Sequence, residues 1–409
     1  RPFAFLSNEI LVHIFARAHP HDIVSILCTC KRFRSAGGLF IKQLLARSLT
    51  HHQLNKALLK YFPRLDNIPD GAVHAISHLC NAGDNVDHRN EYGWTPLYDA
   101  AAKGDEKCLA ILLKVHADVN LTTDDGRTPL YIAAGNGHET CVAMLIKAHA
   151  DVNVSTNDSQ TPLDTAACHG HEKCVAMLVE ANADVNLART DNGQTPLYIA
   201  AQEGHEKCVA KLIEASADMN LATTDDGLTP LHIAACHGHH EKCVGMLIEA
   251  NADVNLPTTD YGETPLYIAA YNGHEKCVAM LLKVNAEMSL ARTDNGQTPL
   301  YIAARGGHEK CVAMLLKANA ETSLARTRYG QTPLYIAAQC GHEKCVTMLT
   351  EANADVNLAT NDGWTPLYAA AQQGNEKCVA MLIKAHADVN VSTNDSQTPL
   401  DTAACHGHE

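Results

Sequence analysis

The residues of this 409-residue chain with the greatest capacity for chemistry are its sixteen cysteines and twenty-four histidines. A His-x-x-Cys pair recurs seven times, as at His205/Cys208 and His308/Cys311. The densest stretch runs Cys168, His169, Gly170, His171, Glu172, Lys173, Cys174. Thiolate and imidazole both bind zinc, but a structural zinc needs four ligands converging on one point. Here the cysteine of each pair lies on an apolar helical stripe that turns inward, while the histidine sits in the preceding loop. The pairs therefore read as structural, and neither a metal nor another cofactor is expected. A zinc protein remains the rival reading, and it requires stoichiometric metal in purified material. Catalysis finds no foothold in a phosphate loop, a nucleophile elbow or a lone cysteine beside an activating histidine. Asp164 and Asp401 stand where most copies of the pattern carry tyrosine, and both read as solvated or locally hydrogen-bonded carboxylates. The chain is expected not to be an enzyme.

The elements that place these residues follow from a period. The triplet Thr-Pro-Leu begins at Thr95, Thr128, Thr161, Thr195, Thr229, Thr264, Thr298, Thr332, Thr365 and Thr398, at spacings of 33 to 35 residues. Such regularity marks a stacked repeat protein. Residues 194–220 serve as the reference copy. Thr195 suits a helix N-cap, and Pro196 suits the first helical position, where its missing N–H costs nothing. Leu197, Ile199, Ala200 and Ala201 give that helix an apolar face small enough for close approach, and Gly204 ends it. A second helix starts near Glu206 and carries Cys208, Val209, Leu212 and Ile213 on one stripe. Residues 217–220 lead out, and Asp225, Asp226 and Gly227 form the turn to the next copy. Two short helices cannot bury their apolar faces alone, so copies must stack.

Nine cysteines fall once per copy on the inward stripe: Cys108, Cys141, Cys174, Cys208, Cys243, Cys277, Cys311, Cys345 and Cys378. Packed helices lie roughly 8–10 Å apart, beyond the roughly 4.4–6.8 Å between Cα atoms that a disulfide spans. They read as small buried hydrophobes in a reducing compartment, the cytoplasm or nucleus.

The Thr-Pro-Leu-x-x-Ala-Ala copies resemble the ankyrin repeat over about residues 71–409. The resemblance implies an all-α solenoid with short β-turn fingers. Two departures stand out. The family's His is Tyr at Tyr131, Tyr198, Tyr267, Tyr301 and Tyr335, and only His232 keeps it. The family's Gly after the second helix is replaced by Asn182, Asn251, Asn319 and Asn353, or by His116, His149 and His386. Asn and His tolerate a left-handed backbone, so the turn is expected to survive, with Ser216 the poorer fit. Residues 71–94 read as a degenerate capping repeat, 95–397 as nine repeats and 398–409 as a truncated tenth. Residues 141–172 recur unchanged as 378–409, which points to duplication of whole repeats, and the stop within a repeat suggests a chain cut short. Residue 1 is Arg and not Met, which leaves a preceding segment open.

Residues 3–45 break the period. Ser7 can cap a helix bearing Ile10, Leu11, Ile14 and Phe15, Pro20 breaks it, and Asp22 opens a second helix with Ile23, Ile26, Leu27 and Cys30 inward. Gly37 and Gly38 precede a third. So short a segment cannot bury all its apolar residues, so one face awaits a partner. Leu6, Glu9, Ile10, Leu11, Ile14, Phe15, Asp22, Cys30, Lys31, Arg32, Phe33 and Leu39 fall at F-box spacings. The segment resembles a small three-helix F-box, with Ser7, Thr29 and Phe40 in place of the family's usual Pro, Val and Trp. Residues 46–70 read as a connector. The competing reading is a plain helical cap for the array.

Net charge is −14, but residues 1–50 carry seven Lys/Arg against Glu9 and Asp22, leaving −14 − 5 = −19 on the remainder. An acidic array argues against nucleic acid and acidic membranes as partners, and no stretch is apolar and long enough to span a bilayer.

Because the copies nearly match, positions that vary among them are visible within one chain. They cluster after each Ala-Ala and in the turn before each Thr-Pro, regions that by resemblance line the concave ankyrin face. Tyr, Trp and Arg dominate binding hot spots, so Tyr261, Tyr271, Arg305, Arg328, Tyr329 and Trp364 are the candidates for holding a protein target; neutral variation at exposed sites is the alternative. By resemblance, Leu6, Ile10, Leu11, Ile14, Phe15, Ile26 and Phe33 would anchor a Skp-type adaptor of a cullin–RING ubiquitin ligase. The expected role is substrate recognition by a protein that is a monomer outside that complex. The alternative is a pure interaction scaffold whose N-terminal helices only cap the array.

Overall fold

The computed structural model describes residues 86–238, 240–288, 295–323 and 326–408. The F-box-like segment, the connector and residues 71–85 of the capping repeat lie outside them. The chain divides into two compact units, Arg1–Asp184 and Val185–Glu409. Among the described residues the structure is all-helical, and the fingers between helix pairs are turns without strand pairing.

In the first unit the helices are α1 (Pro96–Lys103), α2 (Glu106–Lys114), α3 (Pro129–Gly135), α4 (Glu139–Lys147), α5 (Pro162–Cys168) and α6 (Glu172–Glu180). In the second they are α7 (Pro196–Gln202), α8 (Glu206–Glu214), α9 (Pro230–Cys236), α10 (Glu241–Glu249), α11 (Pro265–Tyr271), α12 (Glu275–Lys283), α13 (Pro299–Gly306), α14 (Glu309–Lys317), α15 (Pro333–Cys340), α16 (Glu343–Glu351), α17 (Pro366–Gln372), α18 (Glu376–Lys384) and α19 (Pro399–Cys405). Within each unit, odd-numbered helices pack on odd-numbered neighbours and even on even, and each pair also packs on itself.

The start signal works as the residue types require. Thr195 is extended, and its hydroxyl accepts the N–H of Tyr198, three residues on, with Pro196 at the first helical position. Thr95, Thr264, Thr298 and Thr365 do the same. At Asp164 and Asp401 the carboxylate returns a bond to the N-cap N–H and closes a capping box. The paired alanines of the first helices are fully buried, as at Ala200/Ala201 and Ala303/Ala304, which lets neighbouring helices approach closely. Cys208, Val209 and Leu212 of α8 are buried completely, the same trio recurs in α4, α6, α10, α12, α14 and α16, Leu109 replaces the valine in α2, and Val379 of α18 is only half-buried.

The exit from the second helix takes a left-handed residue. His116, His149, Asn182, Ser216, Asn251, Asn319, Asn353 and His386 all have φ between 58° and 66°. An L-residue there costs roughly 1–2 kcal/mol, and Ser216 lacks the compensation open to Asn. Ser216→Gly should therefore raise stability by about 1 kcal/mol after glycine's own entropic cost. A urea midpoint that fails to rise would show that Ser216 is not strained.

Beyond the exit, the Ala-Asp-Val-Asn sequence becomes a ladder. The Asp218 carboxylate accepts the Asn220 N–H at 2.9 Å, and Asn220 Oδ1 accepts the N–H of Asp253 in the next copy at 2.9 Å. The turns join likewise: the N–H of Asn361 donates to the Tyr329 carbonyl at 3.0 Å. Each finger is thereby held by its neighbour.

Candidate binding site

Tyrosine at the family's histidine position takes over a similar cross-repeat task. The Tyr267 hydroxyl donates to Gln297 in the next turn at 2.8 Å, Tyr301 to Gln331 at 2.9 Å and Tyr368 to Gln397 at 3.0 Å. His232 instead reaches the Glu263 carbonyl at 3.1 Å. Burial pushes the Tyr301 and Tyr335 hydroxyls up to about 12, so they remain protonated donors. The first helix of one copy and the turn of the next therefore share a side, and the candidates for target binding lie along it.

Tyr271 and Arg305 each follow their proline by six residues, on helices α11 and α13, which pack together. Both side chains are exposed, Tyr271 by 56%. Their main-chain carbonyls are clamped from the following copy, by His308 Nε2 to Tyr271 at 2.9 Å and by His342 Nε2 to Arg305 at 2.9 Å. Tyr261 and Tyr329 occupy turns, exposed by 62% and 53%. The Arg328 guanidinium lies 4.8 Å from the Tyr329 ring centroid and donates to its hydroxyl at 2.6 Å. Trp364 is half-buried, with its indole 5.4 Å from the Tyr368 ring, so part of its surface serves its own repeat. Five of the six candidates thus present exposed side chains, while Trp364 is half-covered.

Two residues outside that set have the same residue types. Tyr92 is 60% exposed and Trp94 37%, their rings 5.9 Å apart, and Trp94 lies 5.3 Å from Tyr98. They are in the first unit, in the turn before Thr95, at the positions that Tyr329 and Trp364 hold in later copies. The signal was the shared offset from the Thr-Pro pair, obscured because residues 71–94 read as a cap.

The cysteines carried once per copy on the second helices are buried among apolar side chains. Burial raises the thiols of Cys141, Cys174, Cys243, Cys277, Cys311 and Cys345 to about 11, which keeps them protonated and poor as nucleophiles or ligands. Among the described residues no group of three or more His, Cys, Asp or Glu could hold a metal ion. His171 instead bonds the Gly135 carbonyl at 3.0 Å, and His274 that of Cys236 at 2.9 Å, tying each copy to the one before. Asp164 is fully buried in its capping box and not solvated, whereas its duplicate Asp401 is exposed.

A family model for ankyrin repeats, in three copies, matches residues 113–189, 151–223, 186–258, 216–292, 284–360 and 353–409, and a single-repeat model matches residues 92–124. The chain belongs to the ankyrin-repeat family. This ankyrin-repeat protein also carries an F-box domain, matched at residues 4–37. Comparison with curated proteins found no match. An F-box joined to ankyrin repeats fits an F-box protein that binds targets through its repeats, and both domain types are typically non-catalytic. Among the described residues no helix is long and apolar enough to cross a membrane.

Proposed function

We propose that this chain is the substrate-recognition subunit of a Skp–cullin–F-box ubiquitin ligase. The observation that carries the reading is the F-box match at residues 4–37 in the same chain as a long ankyrin array. Residues 3–45 would dock on the Skp-type adaptor through Leu6, Ile10, Leu11, Ile14, Phe15, Ile26 and Phe33, all outside the described residues. Residues 46–70 would connect, residues 71–94 would cap the array, and nine repeats with the half-repeat 398–409 would hold the target. The protein supplies proximity and orientation and no bond-making group of its own. Buried cysteines such as Cys141, Cys243 and Cys277 suit a reducing compartment, the cytoplasm or nucleus.

The test is capture of a purified Skp-type adaptor by the full chain, beside a Leu11→Asp/Ile14→Asp variant. Two buried carboxylates in an apolar contact should abolish capture. Failure of a folded parent to bind any Skp-type adaptor would return residues 3–45 to the role of a cap and leave an ankyrin scaffold.

A further inference from the structure

Several lysines of this array are neutralised by glutamates of the preceding copy. On the second helices, Lys242 pairs with Glu206 at 3.0 Å, Lys276 with Glu241 at 2.8 Å, Lys310 with Glu275 at 2.9 Å, Lys344 with Glu309 at 2.9 Å and Lys377 with Glu343 at 2.9 Å. Arg326 is occupied differently, since its guanidinium donates to the Gly330 carbonyl at 3.1 Å and to the Ala359 carbonyl at 2.6 Å. Arg305 and Arg328 are not neutralised. Both are exposed, and among the described residues neither has a carboxylate partner; the Arg328 guanidinium touches only the neighbouring Tyr329.

Their surroundings carry few carboxylates. The turns of the second unit carry Asp225, Asp226, Asp260 and Glu263 on one side and Asp362 and Asp395 on the other. Residues 326–341 contain no carboxylate, and residues 295–306 contain none beyond the Asp294 that precedes them. A cationic, tyrosine-bearing window therefore opens in a chain of net charge −14, bounded by acidic turns. Arginine beside tyrosine is the composition of a binding hot spot, and unpaired guanidiniums are the natural partners of carboxylates.

We propose that Tyr271, Arg305, Arg328 and Tyr329 receive a short acidic segment of the target protein, with its carboxylates on the two arginines and an apolar side chain against the tyrosines. This deepens the reading of the array as the target-binding element and rests on it. The acidic turns at either end repel a long polyanion, which selects a short segment. Successive first helices lie roughly 8–10 Å apart, so the window from α11 to α15 is about 16–20 Å long. An extended chain rising about 3.3 Å per residue covers that with five or six residues.

The experiment is selection of random displayed dodecapeptides on the immobilised full chain, run in parallel on Arg305→Glu/Arg328→Glu and on the milder Arg305→Gln/Arg328→Gln. Both arginines are exposed, so folding is expected to persist, and circular dichroism checks it. The parent should enrich sequences with clustered Asp or Glu beside an aromatic or aliphatic residue. One synthetic peptide of that type should bind at least tenfold more weakly to each double variant, and more weakly to the parent when its acids become Asn and Gln. Neutral or basic selected sequences, or acidic enrichment that survives both double variants, would overturn the acidic-segment inference and leave the array's binding role intact. Selection of no peptide would overturn both.

Discussion

Replacing Gly273 with alanine should lower the stability of the array by about 2–3 kcal/mol, a large loss for one methyl group. Two effects combine. Gly273 has φ of 71°, a conformation that costs an L-residue roughly 1–2 kcal/mol. A Cβ built there would also lie 2.4 Å from Nδ1 of His308 in the next copy, closer than atoms can pack. The imidazole must swing away and surrender its bond to the Tyr271 carbonyl, worth about 1 kcal/mol. The Gly-His pair of each repeat is thus half of a joint, glycine of one copy under histidine of the next. The same approach occurs at Gly307 beneath His342 and at Gly137 beneath His171. A double-mutant cycle isolates the steric part: with His308→Ala in place, Gly273→Ala should cost no more than the backbone term. Full additivity of the two changes in urea unfolding would show that the glycine and histidine do not couple.

The second large effect concerns pH. His232 is completely buried in α9, and its environment fixes the neutral form. Nδ1 faces the N–H of Thr229 at 3.2 Å and the Thr229 hydroxyl at 2.7 Å, so it acts as an acceptor, while Nε2 donates to the Glu263 carbonyl at 3.1 Å. A proton on Nδ1 would confront a backbone N–H in a site without water. Burial is the dominant cause that lowers this imidazole to about 4, against the Glu263 and Leu256 main-chain bonds and Asp253, which act the other way. The unfolded chain takes up its proton near pH 6.5, before the folded one. Stability from this group is therefore full above pH 6.5 and is lost as pH falls from there to 4, by about 3 kcal/mol at 1.36 kcal/mol per unit. His232→Tyr, which installs the residue found in neighbouring copies, should remove most of that slope. Equal pH dependence of parent and variant between pH 7 and 4 would refute the assignment.

Much of the helical skeleton was legible in the chain because its signals are local. Threonine and proline set the start of the first helix of each pair, the Cys-Val-Leu stripe fixed the inward face of the second helix, and Asn or His marked the left-handed exit. The cross-repeat joints were harder to see, since they match residues about 35 apart: Tyr267 with Gln297, His308 with Tyr271, Lys276 with Glu241. The exposure of Tyr92 and Trp94 was missed for a related reason, because composition gives a residue's type and stacking gives its surroundings.

The duplicated stretch separates the two kinds of information. Residues 141–172 and 378–409 are identical, and both build the same helix with the same Thr-Asp capping box. Sequence alone determined that much, because N-caps and helix periodicity act within a few residues. Yet Leu163 is 1% exposed and its duplicate Leu400 is 76% exposed, and Cys168 is half-buried where Cys405 is exposed. Helix α5 packs on α3 and on α6 of its own repeat, while α19 packs on α17. Burial belongs to the contact between helices, and only the tertiary structure decides which copy of the same residues becomes core.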